Sequence, residues 1–367
     1  MLLGRIFSWI FALLFVVVGL AMLGMGGTLQ AILFFCIALI LLPPFRYAVQ
    51  KLAKQPLPWW AWALGVVILW GGFIFSLTLN PQTSIFINPE AENKLMSMYE
   101  AQLAQWPTPC ESVFIDTEYG KVHVIVSGPE EAPPVLLIHA SAMGGWSWRC
   151  NVADLNKYYR TYAVDSIGDV GKSVLADLKN PLSGGENIAR FYSDVTDKLG
   201  LQEAFVVGAS VGGYMGTEYA LHAPERVKKL ALLCPMGYGH TNQTIALMVL
   251  AQAFPLNWIQ QKTSEWALGT APHVQQEFNP WFVEVISGTM PKPTPPVSFT
   301  SENLQTMEVP VLAFFGKRDQ VIGDAKSAKI VAGNIPDSQV RIEDSGHLVG
   351  AELPDLVNQA LIEFFND

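Results

Sequence analysis

The feature that most constrains this chain is the pentapeptide Gly208-Ala209-Ser210-Val211-Gly212, which directly follows the apolar run Ala204–Val207. The run is strand-like, and Val211–Ala223 has the pattern of a helix that Pro224 closes. Where a strand, a tight turn and a helix meet in this way, a G-x-S-x-G pattern raises its serine hydroxyl on a strained turn. We therefore expect a parallel sheet that carries a nucleophilic serine, Ser210, at the end of one strand.

Two further residues complete a set that serine chemistry needs. Hydrolysis through serine requires a nucleophile, a base that takes its proton and a group that orients the base. Asp319 follows the apolar run Val309–Gly316, and His347 follows it along the chain. The order Ser, Asp, His across strand ends is one of the known orders of a catalytic triad. We predict Ser210 as nucleophile, His347 as base and Asp319 as orienting acid, with Asp324 as the alternative acid.

A serine hydrolase also needs backbone donors for the negative oxygen that forms during attack. The N–H of Val211, directly after the nucleophile, is one predicted donor. The other is the N–H of Ser141 or of Ala140, in the loop after the apolar run Val135–His139. We expect His139 to order this loop through hydrogen bonds rather than to react.

Strand-like and helix-like patterns alternate from Ser112 onward, which is typical of a mostly parallel sheet with helices on both faces. A hairpin is predicted around Tyr119-Gly120, and a last helix over Leu353–Phe365. The predicted strands are Val113–Asp116, Lys121–Val126, Val135–His139, Arg160–Asp165, Ala204–Val207, Leu230–Cys234, Val309–Phe315 and Gln339–Ile342.

The alternation breaks between Pro235 and Glu308, where aromatic residues precede the proline-rich stretch Pro291–Pro296. This insertion predicts a helical cap whose aromatic side chains help to form an apolar substrate pocket. Packing against the main domain is the alternative for each of them. The candidate pocket residues are Trp146, Trp258, Trp266, Trp281 and Phe282.

Three apolar runs near the amino terminus, Ile6–Leu23, Leu29–Leu42 and Trp59–Leu79, predict two or three transmembrane helices, since about 20 apolar residues span a bilayer. The basic residues of this part are Arg5, Arg46, Lys51 and Lys54, and the positive-inside rule places them in the cytoplasm. We therefore expect a multi-pass protein of a bacterial inner membrane, with the bilayer as a partner. With three spans, the catalytic domain lies on the periplasmic or extracytoplasmic side.

These patterns divide the chain into five segments. The predicted division is a transmembrane anchor over 1–80, a linker with a helix over 81–111, the first part of the catalytic core over 112–237, the cap over 238–308 and the second part of the core over 309–367.

Charge and composition exclude other classes of protein. All 32 Asp and Glu lie after Pro89, and the net charge is −9, so the basic surface that a nucleic-acid binder needs is missing. The 6 His and 4 Cys show no close metal-ligand spacing, and a serine triad needs no cofactor. Cys110 and Cys150 are either free or, outside the cytoplasm, a disulfide pair.

Several segments together resemble the α/β-hydrolase superfamily, and its bacterial carboxylesterase-like members most of all. The segments are Leu136–His139 with Trp146 and Trp148, Asp165–Ser173, the Ser210 pentapeptide and Ala223–Val227. The resemblance implies the α/β-hydrolase fold, the triad Ser210, Asp319 and His347, and a lid formed by the insertion. One departure is Ala140, where the family has glycine after the histidine, and a positive φ there would cost alanine roughly 1 kcal/mol.

The function expected from the sequence is hydrolysis of small-molecule carboxylic esters through an acyl-enzyme, with apolar or lipid-derived acyl groups as candidates. Two alternatives remain at this point. One is a non-catalytic binding or scaffold protein on the same fold, and the other is a hydrolase of amides or carbon–carbon bonds with the same triad. The sequence assigns no protein partner.

Overall fold

The computed structural model describes residues 2–24, 28–53, 57–79, 84–178, 180–239, 257–269, 271–290, 294–322 and 324–367. Two compact units contain these residues, one before Ser84 and one from Ser84 onward. The five-segment division predicted above stays a prediction.

The first unit is helical. Its helices are α1 (Leu2–Gly24), α2 (Thr28–Leu41), α3 (Pro43–Ala53) and α4 (Trp59–Leu79). Aromatic rings from three of these helices meet: Phe15 stacks on Phe34 with 5.7 Å between ring centroids, and Trp70 meets both rings edge-on. The predicted apolar runs therefore do form helices that pack on one another.

The predicted location in a bacterial inner membrane is wrong. Within the described residues, no single helix combines the length and the apolar character needed to cross a membrane. The parts of α1 and α4 whose side chains the structure describes, Ser8–Leu20 and Trp59–Gly72, are apolar but shorter than the roughly 20 residues that a span requires. A bent pair, Ala31–Leu41 with Pro43–Leu52, meets the criterion by length and composition only, and it turns by 76° at its break. The predictions that the catalytic domain lies on the periplasmic side and that the bilayer is a partner depended on this location, and they have no support without it.

The second unit is built on a nine-stranded sheet with the order β1-β2-β4-β3-β6-β7-β8-β9, in which β5 pairs with β2. The strands are β1 (Cys110–Thr117), β2 (Gly120–Ser127), β3 (Pro134–Ile138), β4 (Arg160–Val164), β5 (Val174–Leu175), β6 (Ala204–Ala209), β7 (Val227–Leu233), β8 (Val311–Gly316) and β9 (Ser338–Glu343). From β4 to β9 all neighbours are parallel, whereas β1, β2 and β5 pair antiparallel. The mostly parallel sheet and the opening hairpin agree with the sequence.

The central strands are buried on both faces, as continuous apolar runs should be in a parallel sheet. Leu136, Leu137, Val206 and Val207 are all 0% exposed. Helices of the second unit pack against this sheet and against one another. In the second unit they are α5 (Pro89–Leu103), α6 (Arg149–Leu155), α7 (Gly185–Lys198), α8 (Val211–His222), α9 (Asn257–Leu268), α10 (Pro272–Gly288), α11 (Ser301–Gln305), α12 (Asp324–Asn334), α13 (Val349–Glu352) and α14 (Pro354–Asn366).

The segment predicted as a cap contributes helices α9, α10 and α11. Part of this segment, including residues 291–293 of the proline-rich stretch, lies outside the described residues. The candidate catalytic residues all come from the loops after β3, β6, β8 and β9. Because these strands are parallel, their carboxyl ends meet at one edge of the sheet, which is where open α/β sheets bind ligands.

Candidate active site

Ser210 lies on the sharp turn between β6 and α8, with φ 53° and ψ −116°. Two glycines allow this turn. A Cβ on Gly208 would lie 2.3 Å from the carbonyl oxygen of Gly212, and a Cβ on Gly212 would lie 2.2 Å from the carbonyl oxygen of Ile138. Neither position has room for a side chain, so the pentapeptide is a steric requirement of the turn.

The structure brings the three predicted residues into a chain of hydrogen bonds. His347 Nε2 lies 2.8 Å from Ser210 Oγ, and His347 Nδ1 lies 2.7 Å from Asp319 Oδ2. With the proton on Nδ1 directed at the carboxylate, Nε2 is free to accept the serine proton. All three residues are at least nine-tenths buried, which strengthens these interactions. The alternative acid, Asp324, begins α12, and its side chain lies outside the described residues.

Asp319 is ionised at neutral pH. Burial alone would raise its pKa, but the His347 imidazole, through charge and a hydrogen bond, lowers it, and so do two backbone donors. Oδ1 accepts from the N–H of Val321 at 2.7 Å and of Ile322 at 3.2 Å. The net pKa lies below the ordinary value, so the carboxylate can stabilise an imidazolium.

An ion pair between the exposed Arg318 and a buried glutamate joins the loop that carries Asp319 to the loop that carries His347. Arg318 donates to the carboxylate of Glu352, whose side chain is 4% exposed. The other oxygen of Glu352 accepts from the N–H of Gly346 at 2.8 Å. Arg318 also donates to Asp344 Oδ1 at 3.0 Å and to its carbonyl oxygen at 2.9 Å. The residues next to the acid and the base are thereby fixed to each other, a feature that the sequence did not reveal.

The loop after β3 is held by two buried acids. Asp169 accepts from Ser141 Oγ at 2.9 Å and from the N–H of Ala142 at 3.1 Å. Asp165 accepts from the N–H of Gly145 at 2.6 Å. His139 orders the loop as expected: its Nε2 accepts from the N–H of Ser166 at 2.8 Å.

Backbone strain in this loop falls on Ala142, which has a φ of 66°. A positive φ at Ala140 would strain the alanine that stands there in place of glycine, but Ala140 is not among the described residues with positive φ. The indole N–H of Trp281 donates to the carbonyl oxygen of Ala142 at 2.7 Å. Together with the Asp169 carboxylate on the N–H side, this bond holds Ala142 in its strained conformation from both sides.

The predicted oxyanion donors lie close to the elbow. Ile138, the last residue of β3, pairs with Gly208, so the Ala140 and Ser141 backbone begins beside the turn that carries Ser210. Val211 is the first residue of α8, and the first N–H groups of a helix have no acceptor within it. The donor role of these groups stays a prediction.

A cavity of about 40 Å³ adjoins Ser210 and His347. Most of its wall is apolar, and the polar side chains in it include Asn151 and Ser147. The apolar and small residues that line it are Ala140, Met143, Trp148, Ala209, Leu233, Phe278, Leu348, Val349, Gly350 and Ala351.

The five predicted pocket residues lie elsewhere in the described structure. Trp146, Trp281 and Phe282 are buried, and Trp146 stacks on Phe278, itself a wall residue, with 5.4 Å between centroids. Trp266 lines a separate cavity of about 290 Å³ behind Asp319, and Trp258 is 68% exposed. Their contact with substrate stays a prediction.

Cys234 lies beside the triad. Its thiol, the Asp319 carboxylate and the His347 imidazole have ligand atoms within 4.8 Å of one another. A metal ion there would have to replace the hydrogen bond between Asp319 and His347. Burial, and then the Asp319 charge, raises the pKa of the Cys234 thiol well above its ordinary value. Cys110 and Cys150, for which a disulfide was the alternative, are both free.

Comparison with known proteins identifies the family. Residues 133–253 match the family model described as alpha/beta hydrolase fold. The uncharacterized carboxylesterase nap of Bacillus subtilis is 34% identical over 289 residues, which cover 73% of this chain and 91% of that protein. The carboxylesterase YbfK of the same bacterium is 29% identical over 289 residues, covering 76% of this chain and 96% of its own.

The chain belongs to the α/β-hydrolase family. A solved structure, that of naproxen esterase (carboxylesterase NP) from Bacillus subtilis, superposes with a TM-score of 0.70 at 28% identity, covering 76% of this chain and 99% of that one. The chain is a carboxylesterase-like serine hydrolase.

Proposed function

We propose that this enzyme hydrolyses carboxylic esters with compact, apolar acyl groups through an acyl-enzyme on Ser210. The observation that carries the proposal is the hydrogen-bonded chain Ser210–His347–Asp319 at the edge of a small, mainly apolar cavity. The names of the similar proteins favour esters over amides and carbon–carbon bonds.

In the first half of the reaction, Ser210 Oγ attacks the ester carbonyl carbon while His347 Nε2 takes the hydroxyl proton. The ionised Asp319 stabilises the imidazolium that forms, as its lowered pKa supports. The oxyanion is assigned to the backbone N–H groups of Val211 and of Ala140 or Ser141. The imidazolium then protonates the departing alkoxide, which leaves an acylated serine.

In the second half, water replaces the alcohol. His347 removes a proton from the water as it attacks the acyl carbon, and Ser210 leaves with that proton. We expect the acyl group to contact the side chains of Trp148, Asn151 and Phe278, because they line the cavity beside Ser210. A cavity of about 40 Å³ accommodates a short chain far better than a long one.

Steady-state hydrolysis of p-nitrophenyl acetate, butanoate and decanoate tests the proposal. We expect the purified protein to turn over the two short esters with a higher kcat/KM than the decanoate. The Ser210→Ala variant should lose roughly 10⁴-fold or more in kcat, as for loss of other serine nucleophiles.

Ser183→Ala is the matched control, because Ser183 is exposed. A folded Ser210→Ala protein with more than a hundredth of the parental kcat would refute the assignment of the nucleophile. A preference for decanoate would refute only the compact acyl group.

A further inference from the structure

A second serine–histidine–aspartate chain lies outside the site described above. Ser112 Oγ lies 3.0 Å from His123 Nε2, and His123 Nδ1 lies 2.9 Å from Asp165 Oδ2. The order of atoms is the same as at Ser210, where the two distances are 2.8 and 2.7 Å. None of the steps proposed for Ser210 uses the serine or the histidine of this chain.

The sheet positions the serine and the histidine. Phe114 of β1 pairs with His123 of β2, and Ser112 pairs with Ile125. Ser112 and His123 are therefore diagonal neighbours on one face of the hairpin, within reach of each other's side chains. Two further bonds hold the histidine and aspartate backbones: Ser173 Oγ accepts from the N–H of His123 at 2.8 Å and donates to the carbonyl oxygen of Asp165 at 2.7 Å.

The surroundings of His123 favour the tautomer that carries the proton on Nδ1 and leaves Nε2 as an acceptor. His123 and Asp165 are both 0% exposed. Burial would raise the pKa of Asp165, but hydrogen bonding to His123 and the charge of that residue lower it below its ordinary value. Tyr99 also donates its hydroxyl to Asp165 Oδ1 at 3.0 Å. An ionised Asp165 holds the proton on His123 Nδ1, which leaves Nε2 to accept from Ser112.

Ser112 itself is exposed, unlike the two residues behind it. An accessible hydroxyl with a histidine general base at hydrogen-bond distance, and with a carboxylate orienting that base, has the parts of an activated nucleophile. We infer that Ser112 is a second reactive serine, a site of covalent modification by activated acyl and phosphonyl compounds.

The reaction with a fluorophosphonate is a simple displacement. Ser112 Oγ forms a bond to phosphorus, the phosphorus–fluorine bond breaks, and fluoride leaves with the electron pair. His123 Nε2 takes the hydroxyl proton and later passes it to water. Ser112 stands in the middle of a strand rather than at the start of a helix, so the oxyanion donors expected at Ser210 have no counterpart there in the described structure. A single modification is therefore expected rather than turnover.

The test uses the full-length Ser210→Ala protein, in which the first site cannot react. After incubation with a fluorophosphonate, peptide mass spectrometry measures the modified fraction at Ser112 and at the exposed Ser183 as an internal reference. We expect Ser112 to be labelled roughly 10²- to 10⁴-fold faster than Ser183, the range that a general base supplies. Adding His123→Gln should reduce the Ser112 rate to that of Ser183.

Because His123 is buried, the His123→Gln protein is first compared by circular dichroism and thermal unfolding. If it does not fold, a Phe114→Ala variant, which removes the ring 4.9 Å from that of His123 and opens the site, replaces it and should raise the Ser112 rate. Labelling of Ser112 no faster than Ser183 in Ser210→Ala would overturn the inference. So would an unchanged Ser112 rate in a folded His123→Gln protein.

Discussion

Ser210 has a positive φ, which few serines adopt. The glycines on either side of it make this conformation sterically possible. Gly208 and Gly212 remove the two Cβ atoms that would collide, so the turn can bring the hydroxyl to His347. A requirement for glycine at two positions four residues apart can be recognised in a sequence. The turn that carries Ser210 was predictable for this reason, while the catalytic roles of Ser210, His347 and Asp319 stay a proposal.

The residues that support the acid and the base were not predictable. Glu352 and Arg318 are 34 positions apart, and no local pattern marks either of them. The same holds for Ala142, whose positive φ lies where Asp169 and Trp281 bind the backbone. Only the folded chain brings these partners together.

At the residue scale, Asp319→Asn should lower kcat by roughly 10³- to 10⁴-fold with little change in KM, because an amide no longer holds the proton on His347 Nδ1. Initial rates with p-nitrophenyl butanoate measure this. A kcat within tenfold of the parent would show that another group orients the histidine.

The same variant has a consequence for stability. The pKa of Asp319 is lowered in the folded protein, so its carboxylate stabilises the fold above its ordinary pKa. This contribution is lost as pH falls through the lowered pKa. The difference in unfolding free energy between the parent and Asp319→Asn should therefore shrink as urea titrations move from pH 6 to pH 3.

At the scale of elements, the long buried strands could be predicted from the sequence, because strands of a parallel sheet are continuous apolar runs. The two-residue strand β5 and the helices α6, α7 and α12 were not predicted. Two residues, Val174–Leu175, are too few to show the alternation of apolar and polar residues that predicts a strand. Their pairing with β2 forms only when the chain folds back on itself. The bounds of the last helix were off by a single residue at each end.

A substitution at Glu352 tests whether the connection between the loops after β8 and β9 affects catalysis. Glu352→Gln keeps the shape of the side chain and removes its charge, so the ion pair with Arg318 is lost and the connection between the loops after β8 and β9 is weakened to the remaining bonds, such as those of Arg318 to Asp344. We expect kcat to fall roughly 10- to 100-fold with KM within about twofold, since a displacement of about 1 Å at a reacting group can cost that much.

The matched control is Glu363→Gln, in which the carboxylate is 55% exposed and lies 4.0 Å from Arg341. Glu352→Asp should recover part of the rate, because it restores the charge. A Glu352→Gln enzyme that lost stability but kept its kcat would show that the pair serves the fold alone.

At the scale of the whole molecule, all residues assigned to catalysis lie in the second unit. A protease site inserted at residue 83, followed by cleavage of the purified protein, should leave kcat/KM for p-nitrophenyl butanoate within about twofold. The uncut protein with the same insertion is the reference. A tenfold loss on cleavage would mean that the helical unit contributes to the active site.

The first unit also marks the limit of the sequence argument. Its apolar runs were correctly expected to be helical, because a long stretch without charge favours burial of every face. Part of that burial comes from packing within the unit, since Phe34 is buried where its ring meets those of Phe15 and Trp70. Other apolar side chains of these helices stay exposed, Leu13, Leu64 and Val67 among them. An apolar composition indicates that the surface of a helix is to be buried, but it does not indicate what buries it.

The order of the strands along the chain also sets the order in which the proposed triad is completed during synthesis. Ser210 leaves the ribosome well before Asp319, and His347 follows β9, a strand paired with β8 alone in the sheet. With the proposed roles, a nascent chain that has formed the turn at Ser210 still lacks the base that would activate it. Activation of Ser210 is then expected only after β8 and β9 have joined the sheet.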